Sequence, residues 1–101
     1  MSGQRGEGFA RLEKEIAGEK AAALGRAGER LEEAIAEAHR IAASVREARD
    51  AESRRRLLRA YDEARGRARR ARMALLIQRE AVGLRHHAIV EQQFPEPPSE
   101  P

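Results

Sequence analysis

Arginines are the residues with the greatest chemical potential in this chain. The stretch from residue 53 to residue 72 holds nine arginines and only two acidic residues. The arginines are Arg54, Arg55, Arg56, Arg59, Arg65, Arg67, Arg69, Arg70 and Arg72. Arginines along a helix can neutralise nucleic-acid phosphates. On a helix, however, these positions spread over several faces, and Tyr61, the one aromatic residue among them, is expected in the core. The sequence therefore favours a solvated face with internal ion pairs. Phosphate binding through Arg67, Arg69 and Arg70 remains the alternative.

The three histidines are the next candidates, as metal ligands. A metal site on a helix needs ligands three or four positions apart, as in Glu-x-x-His. His39 has no such neighbour, since Ala36 and Ile35 precede it. His87 and Glu91 have the spacing, but Gly83 interrupts the helix that would bring Glu80 to them. The chain also has no cysteine, which excludes thiolate ligands and disulfides. We predict no metal and no cofactor.

The polar cluster nearest to a catalytic site comprises Gln78, Arg79 and Glu80 with Arg85, His86 and His87. Catalysis would require a pocket and a positioned base or nucleophile. The chain shows no phosphate-binding glycine loop, no serine nucleophile motif and no carboxylate pair. Gln78 is the single polar residue on its apolar helix face, and such a residue typically fixes register or oligomeric state. The sequence therefore predicts a protein that is not an enzyme.

Two alanine-rich heptad tracts, separated by a polar break from Arg49 to Ser53, would position these residues. Their steps alternate between three and four residues, which predicts two helices that pack lengthwise. The first tract is Leu24, Ala27, Leu31, Ala34, Ala38, Ile41, Val45 and Ala48. The second is Leu57, Tyr61, Ala64, Ala68, Ala71, Leu75, Gln78 and Val82.

Folding the chain antiparallel about the break pairs residues whose numbers add to about 102. Ile41 then meets Tyr61 at one end, alanines meet in the middle, and Ala27 meets Leu75 at the other end. This complementarity predicts an all-α fold, a long antiparallel helical hairpin, with helix axes about 8 Å apart.

Local signals set the expected helix boundaries. The first helix is predicted from Gly8 or Phe9 to about Arg49, and Asp50 or Ser53 can cap the second helix, which ends near Val82. Gly83 suits the left-handed residue after that helix. Gly18, Gly25 and Gly28 lower helix propensity, which allows a kink or an interruption of the first helix between Gly18 and Gly28. The alternative use of Gly25 and Gly28 is close approach of a neighbouring helix.

The predicted domain covers residues 9–94. Residues 1–8 are glycine-rich and polar and are expected to be disordered. Residues 84–94 are too apolar for a free tail and predict a short helical turn that folds back. Residues 95–101 are proline-rich and predict an extended tail.

The hairpin is expected to be incomplete by itself. Alanine buries little area, and residues 73–77 are apolar around much of the helix. Leu76 and Ile77 point away from the seam, so the segment with Phe9, Leu12 and Ile16, residues 89–94, or a second subunit must cover them. We predict a combination in which a symmetric dimer forms a four-helix bundle. The predicted assembly residues are Leu31, Ile35, Leu58, Leu75, Leu76 and Ile77.

Charge and hydropathy limit the partners and the cellular compartment that the sequence predicts. Residues 1–52 carry nine Lys or Arg and eleven Asp or Glu, whereas residues 53–101 carry eleven Arg and six Asp or Glu. An acidic helix followed by a basic one suits intramolecular complementarity. No apolar run approaches the roughly 20 residues that span a bilayer, and no signal-type stretch follows the N-terminus. The sequence thus predicts a cytoplasmic protein without a membrane partner.

The segment from Leu76 to His87, followed by Phe94 and Pro95, resembles the C-terminal signature of a family of small uncharacterised bacterial helical proteins. The resemblance covers about a fifth of the chain. It implies no activity. It implies that Gln78, Arg79, Glu80, Gly83 and His87 form a structural corner at the end of the second helix.

Together these patterns predict a non-enzymatic helical protein that acts through self-association or another protein partner. Binding of nucleic acid through the arginine-rich second helix is the alternative function.

Overall fold

The computed structural model describes the backbone of residues 2–101 and the side chains from Gly6 onward. It contains three helices, α1 (Ser2–Glu47), α2 (Ala51–Ala81) and α3 (Ala88–Gln93), and no strand among the described residues. The two long helices pack against each other and form a hairpin. The all-α class and the hairpin are therefore confirmed.

α1 is one continuous helix of 46 residues, which decides against an interruption between Gly18 and Gly28, a point that the sequence left open. A Cβ atom added at Gly25 or Gly28 would meet nothing within 4 Å, so neither glycine is there to admit a neighbouring helix of the same chain. The helix also begins at Ser2, before the expected start at Gly8 or Phe9. The disorder expected for residues 1–8 stays a prediction, because the side chains of residues 1–5 lie outside the described part of the chain.

Asp50 caps α2 at the turn between the helices. Its backbone is extended (φ −114°, ψ 156°), and its Oδ1 accepts a hydrogen bond of 2.7 Å from the Ser53 backbone N–H. The Ser53 hydroxyl donates to Oδ2 over 2.8 Å. The backbone N–H first, and the hydroxyl second, hold the pKa of the Asp50 carboxyl below its ordinary value because both favour the charged form. The expected cap is confirmed.

The seam between the helices consists of two apolar clusters. The inner one, near the turn, brings Ala38 and Ala42 of α1 against Tyr61 and Ala64 of α2. The outer cluster combines residues of all three helices, namely Ala27, Leu31, Ile35, Ala68, Leu75 and Val90. These groupings agree with the antiparallel register expected from the heptads. Both helices contribute alanines to each cluster, a pattern that permits close approach of helix axes.

α2 ends as the sequence predicts, at a glycine with positive φ. Gly83 has φ 92°, a conformation that costs an L-residue energy. Its N–H donates to the Glu80 carbonyl over 3.0 Å, and the Leu84 N–H donates to the Arg79 carbonyl over 2.9 Å. This pair of bonds is a Schellman motif, which satisfies carbonyls that the helix leaves open.

The chain beyond Gly83 folds back onto the hairpin. Val90 of α3 is buried, and Phe94 and Leu76 are half-buried against the outer cluster. Leu76 is thus partly covered within the chain by the outer cluster, which includes Val90 from one of the segments expected to cover it. Ile77 is not covered, since 58% of it is exposed. The segment with Phe9, Leu12 and Ile16 covers neither residue, because it is itself exposed.

α1 extends well beyond the end of α2. The chain measures 76 × 20 × 15 Å, and the last turn of α2 lies level with Lys20 and Leu24 of α1. About 27 Å of α1 precedes that level, at 1.5 Å per residue. None of the helices in the described part of the chain is both long and apolar enough to cross a bilayer.

Candidate interaction surfaces

The first candidate surface is the N-terminal overhang, defined as residues 6–19 of α1. Every residue in it is exposed. Phe9, Leu12 and Ile16 stand on one side at helical spacing, with 66%, 51% and 41% of their surface exposed. An apolar stripe on a helix normally faces another helix or a core. Here it faces no other described part of the chain.

An open apolar groove lies at the base of the overhang, where α2 ends. Lys20, Ala23 and Leu24 of α1 line one wall, and Gln78, Ala81 and Val82 line the other. The groove measures about 200 Å³. Gln78, the single polar residue of the heptad seam, is half-buried at this place. The groove therefore combines an apolar floor with one amide group.

The predicted assembly residues fall into three groups. Leu31, Ile35 and Leu75 are buried inside the chain, so they could contact a second copy only if the hairpin opened. Leu58 and Leu76 are half-buried. Ile77 alone is freely exposed, next to Met73, on α2. Three of the six positions thus stabilise the hairpin itself.

The side of α2 that carries Arg65, Arg69 and Arg72 binds the C-terminal segment, a contact that helical spacing does not predict. We call residues 94–98 the clasp. Arg72 donates a hydrogen bond to the Phe94 carbonyl, and Arg65 Nε donates to the Pro97 carbonyl over 3.0 Å. Pro95, Pro97 and Pro98 have no N–H, so carbonyl oxygens are the main backbone groups that this segment offers, and guanidinium groups donate to them.

Ion pairs and burial of a proline ring also hold the clasp on α2. Glu96 lies 3.1 Å from Arg69 and 3.7 Å from Arg65, and the Pro97 side chain is fully buried. The Tyr61 hydroxyl donates to the Pro98 carbonyl. Burial raises the pKa of Tyr61, because desolvation penalises the phenolate. The expected tail is extended, but its first residues belong to the folded structure.

The three arginines predicted to contact phosphates differ in their surroundings. Arg67 forms an ion pair with Glu37 of α1 at 3.1 Å, and Arg69 pairs with Glu96. Arg70 is exposed and has no carboxylate within 4.0 Å among the described side chains. A phosphate at Arg67 or Arg69 would have to displace a carboxylate.

The corner between α2 and α3 is a small polar network. Arg79 Nε donates to His87 Nδ1 over 3.2 Å, and Arg79 also donates to the His86 carbonyl over 2.8 Å. Since Nδ1 accepts, the imidazole proton lies on Nε2, which donates to Glu80 Oε1 over 3.2 Å. Among the described residues no group of three or more metal-ligating side chains converges. The network fixes the corner; Gln78 lies apart from it, in the groove.

Neither the overhang nor the clasp was predicted as a site from the sequence, and the reason is the same for both. Each depends on which segments meet across the fold, and helical spacing does not carry that information. Two signals could have pointed to the clasp: a core tyrosine whose hydroxyl needs a partner, and a glutamate in the proline segment opposite a basic helix.

Known proteins provide no assignment for this chain. No protein-family model matches it, and neither a curated protein nor a solved structure gives a match.

Proposed function

We propose that this protein is a non-enzymatic helical interaction protein that self-associates, and that the N-terminal overhang of α1 is the associating element. One observation carries the proposal: Phe9, Leu12 and Ile16 form an exposed apolar stripe on the overhang, where α1 packs against no other described part of the chain. Full burial of each such side chain contributes about 1.5–3 kcal/mol.

Helix energetics support the same function. An isolated helix of fewer than about 15 residues is marginal in water, and each interior glycine costs about 1 kcal/mol relative to alanine. The overhang contains Gly6, Gly8 and Gly18. A second helix packed on its stripe would compensate for this weakness, as tertiary packing does for most protein helices.

Sedimentation equilibrium over a wide concentration range tests the proposal. We expect the mass to rise from that of one chain, 11.3 kDa, towards twice that value. Replacing Phe9, Leu12 and Ile16 together by Gln should abolish the rise. The matched control replaces Met73, Ile77 and Ile89 by Gln, because these side chains are at least half exposed elsewhere on the surface, and it should leave association intact. A single-chain mass at every concentration would refute self-association.

Nucleic-acid binding through α2 is the second candidate, and one observation favours it. Arg54, Arg55, Arg59 and Arg70 are exposed, and none has a carboxylate within 4.0 Å among the described side chains. Titration with duplex DNA, single-stranded DNA and RNA at low salt tests it. Binding should weaken steeply with salt and when Arg54, Arg55 and Arg59 become Gln. If those replacements leave binding unchanged, or no binding occurs, this function is excluded.

A further inference from the structure

We propose that two copies of this chain pair through their overhangs in an antiparallel, two-fold arrangement, with Phe9 of each copy seated in the groove of the other. This inference rests on the proposed self-association and specifies its interface. The occupant of the groove is therefore a second copy of the chain.

The distance along α1 between Phe9 and the groove excludes docking within one chain. Fifteen residues separate Phe9 from Leu24 in the groove, which is about 22 Å along a straight helix. One rigid helix cannot bring its own Phe9 to its own groove. An antiparallel pair centred between Ile16 and Ala17 does place each Phe9 level with Leu24 of the other copy.

The two features also lie on the same side of α1. From Ile16 of the stripe, a step of four residues leads to Lys20 and a step of seven leads to Ala23, both in the groove wall. Steps of four and seven residues stay on one helix face. A helix laid on the stripe is thus directed into the groove.

Ala23 provides a small side chain on the face of the stripe, since it follows Ile16 by seven residues and Leu12 by eleven. In the antiparallel pair it lies within one residue of the level of Phe9 of the other copy. A large side chain opposite a small one lets two helices approach closely. Phe9 enters the open groove, whose volume of about 200 Å³ lies between α1 and the last turn of α2.

Charges at the edge of the stripe favour the same register. Glu13 and Lys20 flank the same edge of the stripe, and in the antiparallel pair each Glu13 lies level with Lys20 of the other copy. Two ion pairs therefore form by symmetry. Such exposed pairs contribute little affinity, but they penalise other registers.

A second copy fits better than a foreign helix, because the apolar stripe and its receiving groove are present on one chain. A two-fold interface uses the same surface on both copies and requires this self-complementarity. Residues 6–19 are all exposed, so the stripe is accessible in the hairpin as described.

Disulfide trapping tests the register directly, since the natural chain has no cysteine. The Glu13→Cys and Lys20→Cys variants are mixed and oxidised. We expect a cross-linked heterodimer to form several times faster than with Lys14→Cys and Lys20→Cys. Lys14 lies on the opposite face of the overhang and serves as the matched control. Equal rates for both mixtures would overturn the antiparallel register.

Phe9→Ala provides the second measurement. Both copies lose the side chain, so we expect the dimer dissociation constant to rise about 100-fold or more. The hairpin should keep its circular dichroism and thermal midpoint in the monomer, because Phe9 contacts no other helix.

The outcomes separate this inference from the function on which it depends. A monomer at all concentrations contradicts both. A dimer that needs the stripe but gives no preferential bond between residues 13 and 20 contradicts the inference alone. A dimer that Phe9→Ala leaves unchanged also contradicts the inference alone.

Discussion

The hydroxyl of Tyr61 donates a hydrogen bond to the carbonyl oxygen of Pro98, which lies 37 positions later in the chain. Tyr61 is buried at the seam, and a buried phenol needs a partner for its polar end. The partner comes from a segment that sequence composition marks as a tail. The hydrogen bond therefore links the core of the hairpin to the C-terminal end.

Tyr61→Phe should lower the free energy of unfolding by about 0.5–1.5 kcal/mol, because it removes one hydrogen bond and leaves the ring packed. Chemical denaturation measures the change. A Tyr61→Phe chain as stable as the wild type would contradict the contact with Pro98.

Alkaline pH should destabilise the wild type through the same residue. The pKa of Tyr61 is raised above 10.0, so folding favours the neutral phenol. The resulting stability is complete below pH 10 and is lost as pH rises through the folded-state pKa. Tyr61 is the only tyrosine and tryptophan is absent, so tyrosinate absorbance reports this group alone. In Tyr61→Phe this alkaline loss should disappear.

Pro97→Gly should destabilise the chain by about 1–2 kcal/mol, because it removes a buried ring and frees the unfolded backbone. Hydrogen exchange at α3 should accelerate in this variant, since the clasp holds the end of that helix. Pro95→Gly, at an exposed position, is the matched control. Similar effects of the two replacements would show that burial of Pro97 is unimportant.

Asp50→Ala should lower the thermal midpoint, because α2 loses its N-terminal cap. The lowered pKa of Asp50 adds a pH dependence. Its contribution is present above pH 3.8, the ordinary value, and is lost as pH falls through the lower folded-state value. Asp50→Asn should retain the cap and lose this pH dependence. Glu52→Gln, in the same turn, removes no capping bond and should lower the thermal midpoint less than Asp50→Ala does.

Replacing a helical glycine and a left-handed glycine by alanine should have opposite effects on stability. Gly25→Ala lies in the middle of a continuous helix with free space around its Cβ, so it should stabilise the chain by about 1 kcal/mol. Gly83→Ala forces an L-residue into φ 92° and should destabilise it by about 1 kcal/mol. Thermal unfolding of the two single variants gives the comparison, and the same sign for both would contradict the described backbone.

Periodic and local features of this fold are predictable from its sequence. The burial of Leu31, Ala38 and Ala64 follows from heptad spacing, and the cap at Asp50 and the turn at Gly83 follow from side-chain chemistry within a few residues. These features depend on neighbours along one helix or one turn. A single sequence contains that information directly.

Features that depend on distant segments are not predictable in this way. Leu76 and Ile77 are adjacent and both apolar, yet only Leu76 packs against the outer cluster, while Ile77 is 58% exposed. Pro97 is buried because arginines 25 to 32 positions earlier bind its segment. Phe9 has the helical spacing of a core residue, but α2 ends at Ala81 and does not extend far enough along α1 to cover Phe9. Segment length and long-range docking decide these three cases.

Only part of α1 packs against another helix, and this difference along the helix has a thermodynamic consequence. We expect the part of α1 that packs in the hairpin to unfold only with the hairpin, whereas the overhang can lose helical order while the hairpin stays intact. Backbone amides within this one helix should therefore differ widely in their protection from hydrogen exchange. Any partner that orders the N-terminal half does so at an entropic cost, and the heat capacity of association will report coil-to-helix formation as well as surface burial.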